Sequence, residues 1–310
     1  MTPTATAILV TAYGSAPTLS DDDVYGYLRH IIRFYRGVDP EPDLFDDLKH
    51  RFSTVGVSPI YSATESVARN LQGKLDTVDP GAYQVRFAMK HSPPHIEDVA
   101  REITDDGFTS AISVPLAPFR SRLSTGGYHK LAAESSGGGN ARVSWKYVDG
   151  WHLDDTFLEM WTRKIGDALS RHGDDLVAIF TNHSLPVQVR DWGDPYETDF
   201  QATSAALAER CKLDHWGCAF QSKGGGETDW LKPELVDVLR DWGDRGYNRF
   251  LVVPVGFLTA HLEISYDIDV VASRVAEEMG LELVRTDMPD DDPLLVKTLR
   301  DRVVEAAANG

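Results

Sequence analysis

An α/β fold built on parallel strands is predicted for this 310-residue chain by three observations. Short apolar runs alternate with amphipathic stretches along its length, the pattern of strands joined by crossover helices. The segment Asp149-Gly150-Trp151-His152-Leu153-Asp154-Asp155 interrupts that alternation near mid-chain. The strand candidates on either side match in number and approximate spacing. Two domains are therefore expected, residues 1–150 and residues 151–310, each with a four-stranded sheet flanked by helices. The last helix is expected to pack back on the first domain, and the two halves to enclose a cleft lined by strand ends.

The first strand candidate, residues 7–13, is apolar and ends in Gly14-Ser15, so the side chains just beyond it lie at the carboxyl edge of a sheet. Open α/β sheets bind ligands at that edge. Ser20 and Asp23 then form a Ser-x-x-Asp start signal, followed by Val24, Tyr27, Leu28, Ile31 and Ile32 before Gly37, which predicts a capped amphipathic helix. Residues 84–89, 111–116 and 143–148 supply three more strands. After the break, Phe157, Leu158, Trp161 and Ile165 restart the helical period, and residues 176–181, 216–221, 250–254 and 282–285 read as the second set of strands. The run Ser135-Ser136-Gly137-Gly138-Gly139 reads as a flexible turn. Lys223-Gly224-Gly225-Gly226 lacks the full phosphate-loop pattern and reads as a loop as well.

Composition narrows the function. A net charge of −17 opposes non-specific nucleic-acid binding and attraction to anionic lipid. No stretch approaches the roughly 18 to 20 uninterrupted apolar residues of a membrane span, and Met1-Thr2-Pro3-Thr4-Ala5-Thr6 lacks the basic region of a signal peptide. A cytoplasmic protein is expected. Its two cysteines, Cys211 and Cys218, are too few for a disulfide framework or an iron–sulfur cluster. No Gly-x-Gly-x-x-Gly follows a strand candidate, which disfavours a nucleotide-dependent enzyme.

Two places carry chemistry. His183 directly follows a strand, within Asn182-His183-Ser184-Leu185-Pro186, so its imidazole sits at the mouth of the second sheet. Alone, such a histidine is more often a loop or packing residue than a catalyst. Glu263 and Asp267 stand four apart in the run that begins at Pro254-Val255-Gly256-Phe257, and on a helix they share one face. A solvated acidic face is the ordinary reading, yet Leu262, Ile264, Tyr266 and Ile268 are apolar, which predicts a buried helix and carboxylates that need a partner or a function.

Eight strings in order, Tyr13-Gly14-Ser15, Val57-Ser58-Pro59-Ile60, Lys90-His91-Ser92-Pro93, Leu116-Ala117-Pro118, His183-Ser184-Leu185-Pro186, Gly193-Asp194-Pro195-Tyr196, Gln221-Ser222 with Trp230-Leu231, and Pro254-Val255-Gly256-Phe257 with His261-Leu262-Glu263, resemble the motifs of ferrochelatases across essentially the whole chain. The chain most resembles the short soluble ferrochelatases of Gram-positive bacteria, whose precedent is coproporphyrin. The resemblance implies two Rossmann-like domains around a porphyrin cleft and insertion of Fe²⁺, as substrate, into coproporphyrin III by a monomer with no permanently bound cofactor. It implies His183 and Glu263 as the catalytic pair, with Asp267 joining them toward the metal. Tyr13, Arg33, Ser58, Arg120 and Tyr128 are implied in the porphyrin pocket. His91 is ranked below His183, and Trp230 is placed as scaffold. Arg36, Lys90, Arg122 and Lys223 join Arg33 and Arg120 as candidate partners for porphyrin carboxylates. Val271 falls where many relatives carry a third acid, and Arg120 and Arg122 where they carry a histidine or aromatic residue. Those departures keep open a porphyrin carrier on the same scaffold, or a chelatase for another metal or tetrapyrrole.

Overall fold

In a computed structural model the structure describes residues 5–137, 143–225 and 228–309. Gly138, Gly139 and Gly226 of the two glycine-rich turns, and residues 1–4 of the stretch read for a targeting signal, lie outside the described residues. The first half contains β1 (Thr6–Ala12), α1 (Asp21–Arg36), α2 (Pro42–Val55), α3 (Ile60–Asp76), β2 (Tyr83–Met89), α4 (Ile96–Asp105), β3 (Ser110–Pro115), α5 (Thr125–Ser135) and β4 (Ser144–Tyr147). The second begins with α6 (Asp155–His172), β5 (Val177–His183), α7 (Gln188–Asp191), α8 (Tyr196–Cys211), β6 (Trp216–Gln221), α9 (Leu235–Asp244) and β7 (Arg249–Val253). It continues with α10 (Leu262–Ser265), a π-helical segment (Asp267–Ala272), α11 (Ser273–Glu278), β8 (Glu282–Arg285) and α12 (Pro293–Ala308).

Each half holds one all-parallel sheet, ordered β2-β1-β3-β4 and β6-β5-β7-β8. The direction of winding reverses beside β1 in one sheet and beside β5 in the other. A crevice opens at the carboxyl ends of the strands at such a reversal. The central strands are rich in β-branched and apolar residues because helices cover both faces. Ile8, Leu9 and Val10 of β1 and Ile179 and Phe180 of β5 are wholly buried, each such side chain contributing roughly 1.5–3 kcal/mol.

Helix α1 starts as its sequence predicts. Ser20 Oγ accepts from the Asp23 N–H at 3.2 Å, three aspartates occupy the first turn near the positive end of the helix dipole, and Gly37 closes it with φ 70°. Helix α12 packs against α3, α6 and the β3–β4 edge, and its Leu295, Val296, Leu299 and Val303 share one core with Ile112 and Val114 of β3 and Phe180 of β5. Two polar ties pin it. Arg302 reaches Asp154, the N-cap of α6, at 2.7 Å, and Lys146 of β4 donates to the Ala307 carbonyl at 2.9 Å. No described helix is long and apolar enough to cross a membrane.

The segment read as one regular helix through Glu263 and Asp267 is broken. After the single turn of α10, the Tyr266 carbonyl accepts from both the Val270 and the Val271 N–H, at 3.2 and 2.9 Å, and the second of these is the five-residue step of a π-helix. The wider turn keeps Ile264, Ile268 and Ala272 in the core while Asp267 faces the cleft.

Candidate active site

The strand ends of both sheets open onto one cleft of about 780 Å³, within the range of ~300–1,000 Å³ typical of small-molecule sites. Tyr13 enters it from the end of β1, Lys90 from the end of β2, and Leu116 to Phe119 from the end of β3. From the other half come His183 at the last position of β5, Ser222 after β6, and Gly256, His261 and Glu263 after β7. The winding reversals thus account for the site's place in the fold.

His183 is held by its backbone. Asn182 Oδ1 accepts the His183 N–H at 2.9 Å, and Tyr196 Oη lies 2.8 Å from Asn182 Oδ1 and 2.9 Å from the His183 carbonyl. The fit under Asn182 needs a glycine at 256, where a Cβ would stand 1.9 Å from Asn182 Oδ1. The His183 ring donates Nδ1–H to the Ser184 carbonyl at 2.5 Å, which leaves Nε2 for Glu263, 3.6 Å away. His261 repeats the arrangement, donating Nδ1–H to the Thr259 carbonyl at 3.1 Å and placing Nε2 3.4 Å from the same Glu263 oxygen.

Burial favours the neutral forms of His183 and Glu263, but their mutual attraction prevails. The imidazole of His183 is raised above its ordinary value by the Glu263 carboxylate, helped by the Ser184 carbonyl and Asp267. Glu263 is pulled far below the carboxylate range by His183 and then His261. Asp267 lies apart from this pair. Ser222 hydrogen-bonds one of its oxygens and Arg51 approaches the other at 3.4 Å, while burial, aided by Glu263, raises its pKa. Asp267 therefore stands outside the His183–Glu263 pair it was expected to join toward the metal, and among the described residues no three histidine, cysteine or acidic side chains gather into a ready-made metal cage.

Across the cleft, Tyr13 packs edge-on against His91, with ring centroids 4.6 Å apart. Burial, reinforced by neighbouring phenols and Glu263, raises Tyr13 and Tyr128, so both hydroxyls stay protonated. His91 does not line the cleft. It is buried behind Tyr13 and bonded to His30 at 3.1 Å, and burial beside the Lys90 ammonium keeps it neutral.

Three residues assigned to the pocket from sequence do not line it in the structure. Arg33 grips Asp39 with two hydrogen bonds, at 2.6 and 3.0 Å, on the outer side of α1, and Arg36 of the next turn lines the cleft instead. Ser58 accepts from the Ile60 N–H at 3.3 Å at the start of α3, and Ile60 is the cleft residue. Arg120 is exposed, and its field falls on Asp149, His152 and Asp199 outside the cleft. Arg122 lies over the Trp192 ring, 5.2 Å from its centre. That wall is therefore apolar, formed by Pro118, Phe119 and Leu123, where a cationic one was expected. His261, Asn182, Tyr196 and Tyr35 were not singled out from sequence. His261 and Tyr196 each carried a local signal, standing inside one of the motif strings without a role of their own.

Similar proteins are found among known sequences and structures. The family model described as Ferrochelatase matches residues 5–307. A ferrochelatase of Herpetosiphon aurantiacus is 34% identical over 300 residues, covering 95% of this chain and 97% of that protein. The coproporphyrin III ferrochelatase of Bacillus subtilis is 32% identical over 307 residues, covering 96% of each. Among solved structures, the sirohydrochlorin chelatase SirB of Bacillus subtilis subspecies spizizenii in complex with cobalt superposes with a TM-score of 0.61 at 15% identity, covering 98% of this chain and 96% of that one. CbiX, described as the terminal enzyme of sirohaem biosynthesis in denitrifying bacteria, gives 0.54 at 12% identity, covering 97% and 99%. These last two speak for the fold alone. With its motifs in place and the family model matched over nearly its whole length, the chain belongs to the ferrochelatase family.

Proposed function

We propose that this protein inserts Fe²⁺ into coproporphyrin III in haem synthesis, as a cytoplasmic monomer that keeps no resident prosthetic group and binds neither nucleic acid nor membrane. The observation that carries the reading is the convergence of His183 and His261 on Glu263 at one wall of a cleft whose other wall presents Tyr13. The coproporphyrin III ferrochelatases among the relatives support the choice of macrocycle. So do Arg36 and Lys90, which line the cleft without a carboxylate partner among the described residues.

Metallation takes two protons from pyrrole nitrogens while a hydrated dication sheds water. Because His183 and His261 commit Nδ1–H to backbone carbonyls, each neutral ring aims an Nε2 lone pair at the Glu263 carboxylate. Such an assembly is stabilised by one positive charge at its centre. In the empty cleft a proton on His183 supplies it. An arriving Fe²⁺ displaces that proton, steered by Glu263 and, further out, by Asp267, and as the metal moves into the macrocycle the imidazole is again free to accept a pyrrole proton. His183 is the base, taking the two pyrrole protons in turn and passing each to the open cleft, while Glu263 guides the metal. Tyr13 approaches the macrocycle from the other half and holds it against this wall.

The test is anaerobic absorbance with coproporphyrin III and Fe²⁺, with protoporphyrin IX as the competing substrate and His183→Ala as the control. Conversion of the free-base spectrum to an iron-porphyrin spectrum, abolished by the substitution, is expected. A porphyrin that binds and is never metallated would make the protein a carrier and end the catalytic reading.

A further inference from the structure

Lys90 is a buried cation with no counter-ion. Only 3% of the residue is exposed, yet among the described residues no carboxylate lies within ion-pair distance. Its Nζ donates to Tyr35 Oη at 2.8 Å and lies 4.9, 5.1 and 5.4 Å from the ring centres of Phe34, Tyr35 and Tyr128. An aromatic cage offsets part of an ammonium's desolvation, but a neutral phenol is a poor replacement for an anion. Burial lowers the Lys90 pKa to about 8, against a weak opposing pull from Glu97. The surroundings add positive potential. Helix α5 begins beside the ammonium, with no acid in its first turn, and a Cβ on Gly127 would come within 3.6 Å of Nζ.

The one hydrogen-bond partner of the ammonium is a surface residue. Tyr35 lies in the last turn of α1, is 55% exposed, and lines the same cleft as Lys90. It follows Phe34, whose ring also faces the ammonium.

We propose that Lys90 is the specificity-determining anchor for one carboxylate of the macrocycle, and that Tyr35 is its placeholder, bonded to the ammonium while the cleft is empty and displaced when the carboxylate arrives. The cleft then selects porphyrins whose acidic substituent reaches the cage between α1 and α5. The exchange replaces a neutral hydrogen bond by a charge-assisted one and satisfies the only deeply buried ammonium lining the cleft among the described residues. This deepens the chelatase reading and rests on it only for the macrocycle's identity.

The experiment needs no metal. Free-base coproporphyrin III and its tetramethyl ester, dispersed in the same detergent, are titrated by Soret absorbance into the wild type, Lys90→Met and Tyr35→Phe. Lys90→Met is expected to weaken coproporphyrin III about tenfold and to leave the ester within twofold. Tyr35→Phe, on an exposed side chain that poses no folding problem, is expected to tighten coproporphyrin III two- to fivefold with no effect on the ester. Equal losses for both ligands in Lys90→Met, or an unchanged affinity for coproporphyrin III, overturn the anchor. Unchanged or weaker coproporphyrin III binding by Tyr35→Phe overturns the placeholder. A wild type that metallates normally while either result is negative leaves the chelatase reading standing, whereas a wild type that binds neither porphyrin overturns both.

Discussion

His183 and His261 present their Nε2 atoms to one oxygen of Glu263, at 3.6 and 3.4 Å, although they reach it from different elements. His183 ends β5 and His261 immediately precedes α10. The two rings are not equivalent, since only His183 is tied through its backbone to Asn182 and Tyr196.

That asymmetry predicts different losses. His183→Ala removes the base and is expected to lower kcat at least a hundredfold, within the usual contribution of a positioned proton acceptor of ~10²–10⁴. His261→Ala leaves the base in place and removes the lesser of the two groups that hold Glu263 ionised, so a drop of about tenfold is expected with little change in the shape of the pH–rate profile. Steady-state metallation between pH 5.5 and 8.5 checks both, and equal losses would contradict the division of roles.

Arg33 and Arg36 should separate cleanly. Arg33 is spent on Asp39 in a solvent-screened surface pair that adds little to stability, so Arg33→Ala should leave KM for coproporphyrin III unchanged and lower Tm by no more than a degree or two. Arg36 faces the cleft, and Arg36→Ala should raise KM roughly threefold to tenfold. Measuring KM for both variants side by side decides the matter.

The distribution of sequence signals follows from their range. All eight strands were readable because apolar runs and turn residues are local, and α1 was readable because Ser20 caps it within three residues. Glu263 stood out because its neighbours are apolar, a pattern that survives whether the turn is regular or π-helical. The π-helix was not legible, since it depends on the Val271 N–H choosing the Tyr266 carbonyl. Arg33 was preferred to Arg36 because nothing local shows that Asp39 captures the first guanidinium. Lys90 and Tyr35 are 55 residues apart and meet only through tertiary packing.

Gly256 gives a geometric test of how His183 is held. In Gly256→Ala the new methyl would overlap the Asn182 carboxamide, its Cβ 1.9 Å from Oδ1 and 2.9 Å from Asn182 Cα. The clash is expected to cost a few kcal/mol, in the range of overpacked cores, and to move His183 enough to reduce kcat about a hundredfold. Adding Asn182→Ala removes the carboxamide but not the backbone contact, so the double variant should recover part of the lost Tm and little of the activity. Thermal melts and metallation rates for the two single variants and the double variant close the cycle.

Lys90 supplies the remaining prediction, through its effect on the empty protein. Its pKa falls from 10.5 in the unfolded chain to about 8 in the fold because burial disfavours the ammonium, with Glu97 opposing and the neighbouring His91 uncharged. The folded state then binds fewer protons than the unfolded one between those two values, so stability rises with pH across that window. Below pH 8 the cost of burying the charge is present in full, on the order of 3 kcal/mol, and it is relieved as pH climbs toward 10.5. Lys90→Met removes the cost altogether. It is therefore expected to raise Tm by several degrees at pH 7 and by much less at pH 10, while weakening coproporphyrin III. Melting curves at the two pH values test this directly, and a variant less stable than the wild type at pH 7 would show that the aromatic cage already compensates the charge. A residue that destabilises the empty fold and strengthens the complex is held there for its ligand.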